Sequence, residues 1–252
     1  MIDNFIKELE RQGRSANTIQ AYKRDLELFE KWFNKTHDNK LDKIFNADVK
    51  KYVEYLLCVS KLTVSSINRK LTVIKRYNDY LESLYGKNEV EIKLIKKFNS
   101  CINRKIINNK DLKKLRDAFY QRNNKRDIAI FEILINTGLR ESELISLELD
   151  NIVVAEKNGT DDYLRLNLMI SNKYNMCKEI QLNGITQKAV NNYLKIRPIT
   201  SNNKLFIGQR GSITRTTLNK ILKQYCINAG IEVISPRVLR YTWLSKCNLL
   251  KT

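Results

Sequence analysis

The chain holds one histidine, His37, among 252 residues. Chemistry that needs an imidazole at any other position is therefore excluded. Without a Cys/His cluster no structural zinc site is expected. The five cysteines (Cys58, Cys101, Cys177, Cys226 and Cys247) are odd in number, scattered and without a CxxC pair. They read as reduced thiols, most of them small core residues, and not as a disulfide framework. No apolar run approaches the roughly 20 residues that span a bilayer. The opening Met1-Ile2-Asp3-Asn4 lacks a basic-then-apolar leader pattern. The expectation is a cytoplasmic protein with no membrane partner. Two prolines and eight glycines leave few breaks, so long helices are expected.

Lys and Arg number 46 against 27 Asp and Glu, a formal net charge of +19. Such an excess favours a polyanion, because each phosphate neutralised releases condensed counterions. Net charge by itself says nothing about fold, and a merely soluble basic protein would look the same. The length suits two medium domains.

Apolar residues recur at helical spacing through the first half. Ile2, Phe5, Ile6 and Leu9 form one stripe, ended by Gly13. Ile19, Tyr22, Leu26, Phe29 and Phe33 form a second, after the capping residues Ser15 and Asn17. Helices follow over about 47–57 and 64–85, with Gly86 as the C-cap of the latter. A helical patch over 90–98 is expected to close this unit, residues 1–98. A basic linker, 99–109, leads to a second unit, 110–252. There helices are predicted near 109, over 127–136 and over 141–147. The period then changes to two. Leu164, Leu166, Leu168 and Ile170 alternate with Tyr163, Arg165, Asn167 and Met169, a half-buried strand. Residues 152–155 and 179–182 read as its partners, with turns at Asn158-Gly159 and 171–175. Helices resume over 186–196, 216–229 and 236–250. The fold class is thus mainly α with a small antiparallel sheet.

Three segments carry candidate chemistry. In Asn136-Thr137-Gly138-Leu139-Arg140-Glu141-Ser142-Glu143-Leu144, Gly138 lets the chain leave one helix. Arg140 then opens the next, where a guanidinium fork suits phosphate. Glu141 and Glu143 complement the first helical turn. An ordinary surface arginine is the alternative. In Ser171-Asn172-Lys173-Tyr174-Asn175, a lysine at a hairpin tip can reach a nucleic-acid backbone, or donate a proton to a leaving oxygen. A solvated turn lysine is the alternative. In Ser235-Pro236-Arg237-Val238-Leu239-Arg240-Tyr241-Thr242, a proline at a helix start sets Arg237 and Arg240 one turn apart on one face. Two guanidiniums so placed call for solvent or an anion. On the fourth helix, Arg69, Lys70, Lys75 and Arg76 are candidates for nucleic-acid contact, a solvated face being the alternative.

These segments together resemble the tyrosine recombinase (phage integrase) family. The first is similar to its T-G-L-R-x-S-E-L box, including the following Leu147 and Asp150-Asn151-Ile152. The second resembles its G-K-G-N-K-x-R hairpin, with Tyr174 for the usual glycine and Gln181 for a proline. The third resembles its H-x-L-R-H-T box. Ser15-Ala16-Asn17-Thr18-Ile19, Tyr22, Asp25-Leu26 and Phe29 resemble the helical core-binding (SAM-like) domain. The resemblance implies an N-terminal SAM-like domain and a catalytic-type α+β domain. It implies double-stranded DNA as partner, self-association on DNA, and site-specific recombination: integration, excision or inversion. It further implies that Arg140 and Arg240 grip the scissile phosphate, Glu143 supports the site, Lys173 is the general acid, and the reaction calls for no nucleotide cofactor or obligatory metal. Arg237 stands where the family has histidine; a guanidinium binds phosphate but cannot act as a base.

The family's nucleophilic tyrosine follows the second arginine by a few dozen residues, after a glycine-histidine box. Residues 241–252 hold no such box, and Tyr241 matches the second histidine of H-x-L-R-H. The catalytic domain is therefore expected to be incomplete in residues 110–252, and three readings stay open. The chain is a fragment of an active recombinase, or a nucleophile-free accessory or regulatory DNA binder, or a protein whose tyrosine comes from a partner. Outside the family, a sequence-specific transcriptional regulator or a helical scaffold for an acidic protein would carry the same charge.

Overall fold

Two hydrophobic cores, one in each half of the chain, organise the protein. The computed structural model describes residues 1–36, 41, 43–86, 90–96, 104–155, 165–171 and 177–249. Two compact units emerge, Met1–Cys101 and Ile102–Thr252. The division falls inside the basic stretch 99–109. Ile107, in its second half, is buried in the core of the second unit.

The first unit is four helices: α1 (Ile2–Arg11), α2 (Ala16–Thr36), α3 (Asn46–Cys58) and α4 (Val64–Tyr85). Ile2, Phe5, Ile6 and Leu9 of the first stripe are buried; in the second, Leu26, Phe29 and Phe33 are buried and Ile19 and Tyr22 half-buried. Phe5, Leu26, Phe29, Tyr52, Ile67 and Tyr77 meet in one core. Thr63 caps α4 by accepting the Ser66 N–H, and Gly86 ends it at φ +92°. The helical patch expected over 90–98 is not formed in residues 90–96, which carry no regular structure. The Asn68 side chain brackets the Ile95 backbone, donating to its carbonyl at 2.8 Å and accepting its N–H at 2.9 Å. Asn46 accepts the Glu91 N–H at 3.0 Å. Side-chain amides thus satisfy backbone groups that a helix would have satisfied internally.

The second unit is built on α6 (Lys125–Thr137), flanked by α5 (Asn109–Arg122). Residues 127–135 are all buried, so α6 is a central helix without a solvent face. Its polar Glu132, fully buried, takes two hydrogen bonds from Arg116 at 2.9 and 3.1 Å and one from Asn136 at 2.8 Å. A short helix α7 (Glu141–Ser146) and a 3-10 turn (Leu149–Asn151) lead to the sheet. Strands β1 (Ile152–Ala155), β2 (Arg165–Ser171) and β3 (Cys177–Gln181) pair antiparallel in that order. Leu168 is fully buried, with Ile152 and Ile180 its cross-strand partners. This is the inward row that the alternation predicts. The Asn158-Gly159 turn, Tyr163, Leu164 and residues 172–176 lie outside the described residues.

Then come α8 (Gly184–Leu194), a two-residue hairpin of β4 (Ile207–Gly208) and β5 (Gly211–Ser212), α9 (Arg215–Asn228) and α10 (Pro236–Leu249). The hairpin has too few residues to show a period, and the sequence reading does not contain it. Phe119 stacks on Phe131 at 4.5 Å and on Tyr225 at 3.7 Å, joining α5, α6 and α9. Such contacts contribute about 0.5–1.5 kcal/mol each beyond burial. Among the described residues no helix is long and apolar enough to cross a membrane.

Candidate active site

The end of α6 determines where Arg140 goes. Gly138 takes the left-handed conformation at φ +62°, which ends the helix and reverses the chain. Leu139 drops back into the core, 3% exposed, and anchors the turn. Arg140 is then the N-cap of α7 with its side chain exposed. Glu143 holds it twice, accepting the Arg140 backbone N–H at 2.7 Å and its guanidinium at 2.7 Å. Burial opposes ionisation of Glu143. The hydrogen bonds from the Arg140 backbone and guanidinium, with the charges of Arg140 and Arg240, outweigh it and hold the carboxyl below the usual glutamate range.

Arg240 reaches the same place from α10. Its Nη1 donates to the Gly138 carbonyl oxygen, across 102 residues of sequence. That carbonyl belongs to the residue just past the last turn of α6, where no further helical N–H follows to bond it. Trp243, one turn further along α10, covers the Cα of Gly138 so closely that a side-chain carbon there would lie 2.6 Å from the indole Cδ2. Glycine is thus required at 138 by its backbone angle and by the indole together. Thr242 is buried beside them and accepts the Ile107 N–H at 3.1 Å, tying the incoming chain to α10.

Arg140, Arg237 and Arg240 line one open cleft of ≈ 420 Å³. The sequence analysis singled out all three, and the fold brings them together. It also brings three residues that the sequence reading missed as site residues. Arg104 and Arg215 line the cleft, and so does Tyr241. The Arg104 guanidinium lies over the Tyr241 ring, 5.3 Å from its centroid. Arg215 is the first residue of α9, where a cation opposes the helix dipole. That opposition is the one signal in the sequence that could have marked it. Of the lining residues five are arginines and one, Glu141, is an acid. The cleft is therefore a concentrated cation field with room for an extended anion. Lys173, between β2 and β3, lies outside the described residues.

Tyr241 is the one tyrosine that lines this cleft among the described residues. Tyr225 is buried in the core and donates to Asp127 at 3.2 Å. Burial and the Asp127 charge push its ionisation upward. Tyr52 is buried likewise, and burial with the Asp25 charge does the same there.

The four basic residues expected on α4 separate into two kinds. Lys70 is 7% exposed and its ammonium bonds to the buried Asp25 at 2.9 Å. Arg69 pairs with the same carboxylate while half its side chain stays exposed. Lys75 is exposed, and Arg76 lies over the Tyr22 ring at 6.0 Å. The two Asp25 partners are committed to the core of the first unit, whereas Lys75 is open to solvent.

Comparison with known proteins gives a consistent picture. Residues 2–83 match the phage integrase N-terminal SAM-like domain, and residues 105–248 match the phage integrase family. The TnP I resolvase of Bacillus thuringiensis is 29% identical over 245 residues, covering 94% of this chain and 82% of that protein. The tyrosine recombinase XerD of Rickettsia bellii is 30% identical, covering 97% of this chain and 84% of that protein. Among solved structures, the XerH site-specific recombinase in its post-cleavage complex with palindromic difH substrate superposes with a TM-score of 0.76. Its identity is 17%, over 99% of this chain and 73% of that one. A lambda integrase(75–356) dimer bound to a COC′ core site gives 0.69 at 13% identity, over 97% of this chain and 87% of that one. At these identities the structures speak to the shared fold. With the two family matches together spanning most of the chain, this protein belongs to the phage integrase, or tyrosine recombinase, family.

Proposed function

We propose that this protein acts on double-stranded DNA in site-specific recombination, with Arg140 and Arg240 gripping the phosphate at which strands are exchanged. The observation that carries this reading is the convergence of those two guanidiniums on one cleft from two helices far apart in the sequence. In the reaction a tyrosine oxygen attacks phosphorus, and the bond to the 5′ oxygen breaks. The leaving oxygen takes a proton, and the tyrosine carries the 3′ phosphate. Attack crowds five oxygens around phosphorus and adds negative charge, which fixed cations stabilise without reorganising. Glu143 is the positioning residue for Arg140. Lys173 is the candidate proton donor to the leaving oxygen. Arg237 adds a phosphate contact and no proton transfer. The phosphotyrosyl bond keeps the energy of the broken linkage, so the reaction as written uses no nucleotide cofactor. The relatives bound to DNA as a dimer or a tetramer support self-association on DNA.

A second reading is a DNA-binding accessory or regulatory protein without strand chemistry; it is favoured by the tyrosine at the cleft, Tyr241, standing directly beside Arg240, where the resembled H-x-L-R-H box has its second histidine and not its nucleophile. A nicked suicide duplex separates the two. Covalent protein–DNA capture supports strand transfer, and a mobility shift without capture supports the accessory reading. Loss of capture in Tyr241→Phe, with binding intact, would place the nucleophile at 241 instead.

A further inference from the structure

One segment, Gly138 to Glu143, tethers three guanidiniums from three helices. Gly138 holds Arg240 of α10, Glu143 holds Arg140, and Glu141 holds Arg215 of α9. The first two are accounted for by the proposed grip on one phosphate. The third is not. Both carboxylate oxygens of Glu141 are engaged, Oε2 with Arg215 Nε at 3.1 Å and Oε1 with Asn219 Nδ2 at 2.8 Å. Among the described residues, the terminal nitrogens of Arg215 donate no hydrogen bond, and the side chain is exposed on the cleft wall.

Charge balance says what those nitrogens face. Five arginines and one acid line the cleft. A single phosphodiester carries one negative charge and gains about one more in the transition state. Double-stranded DNA presents a charge every ~1.7 Å of its axis, so neighbouring phosphates lie within reach of one cleft. A guanidinium held through Nε presents its remaining donors as a fork suited to phosphate oxygens.

We infer that Arg215 is a third phosphate-binding residue, contacting a DNA backbone phosphate next to the one gripped by Arg140 and Arg240, and that Glu141 is its positioning residue. This rests on the reading of the protein as a DNA binder. Arg215 would set the register of the duplex in the cleft while carrying no base information.

The test is fluorescence anisotropy of the intact chain with a labelled duplex of arbitrary sequence, over a range of salt. Arg215→Ala is expected to lower the slope of log K against log salt by about one, and to weaken binding about 3- to 10-fold at low salt. Arg215→Lys keeps the charge and is expected to restore the slope. The side chain is exposed, so thermal melting of both variants should match the parent. Glu141→Gln is expected to be non-additive with Arg215→Ala, since the tether has nothing to hold once the guanidinium is gone. If Arg215→Ala matches the parent in slope and affinity while Arg140→Ala lowers both, Arg215 touches no phosphate and the DNA reading stands. If the parent shows no salt-dependent binding, the DNA reading itself fails and this inference falls with it.

Discussion

The indole of Trp243 rests against Gly138, and the Gly138 carbonyl oxygen receives Arg240 from the same helix. One glycine therefore sets both the docking of α10 on α6 and the position of Arg240. Its backbone angle, its missing side chain and its carbonyl each serve a different part of that arrangement.

Gly138→Ala should accordingly be costly. A non-glycine residue in the left-handed region and an overpacked contact together cost about 2–5 kcal/mol. Trp243→Ala in the same chain removes the clash but not the backbone strain, so the pair should be non-additive. Denaturant melts of the four proteins measure this directly. Additive losses would show that the indole does not press on Gly138.

Arg140→Ala should weaken DNA binding only modestly, about 3- to 10-fold, because one phosphate contact among several is lost. Strand chemistry should fall far more, by at least the roughly 10²–10³-fold seen when one transition-state donor is removed. Single-turnover capture on a nicked duplex reads the second effect and anisotropy the first. Capture by Arg140→Ala at the parental rate would remove this residue from the mechanism.

Glu143 gives a pH dependence whose sign follows from its lowered ionisation. A carboxyl depressed in the folded state contributes its full stability above the unfolded value, about 4.3. That contribution is lost as pH falls through the unfolded value toward the lower folded one. Glu143→Gln should therefore melt lower than the parent at neutral pH, and the gap should close in acid. A gap that persists unchanged at acid pH would mean the tether to Arg140 owes nothing to charge.

On α4 the ion cluster and the exposed cation should respond differently. Asp25→Ala leaves Lys70 buried and unpaired, a loss of about 3–5 kcal/mol. Replacing Asp25 and Lys70 together with apolar residues of similar size should recover most of it. Lys75→Ala should leave stability unchanged within about 0.5 kcal/mol. If Lys75 meets DNA, it should lower the salt slope by about one. Equal melting of Asp25→Ala and Lys75→Ala would contradict the burial that distinguishes them.

The helices were legible because their apolar stripes repeat at helical spacing and their ends carry the right residues. The residues of α4, 64–85, show both, from the capping Thr63 to Gly86. The strand around Leu168 was legible because its alternation is long enough to count. The β4–β5 hairpin and the segment 90–96 were not. The first is too short for a period, and the second is held by Asn68 and Asn46 from distant helices. In the cleft, Arg140, Arg237 and Arg240 sit in dense local motifs, so short segments marked them. Arg104 and Arg215 sit in no motif, and nothing near them in sequence reports the neighbours that they acquire.

Periodicity, caps and motif spacing are local properties of the chain, so most of the elements, the mainly helical class, the cation excess and the family are legible before any folding. Which cations share a cleft and which are spent in the core is settled by packing alone. A guanidinium or ammonium has the same chemistry wherever it stands. Its role follows from the partners that packing brings within about 3 Å, and those partners lie as far along the chain as Gly138 from Arg240 or Asp25 from Lys70.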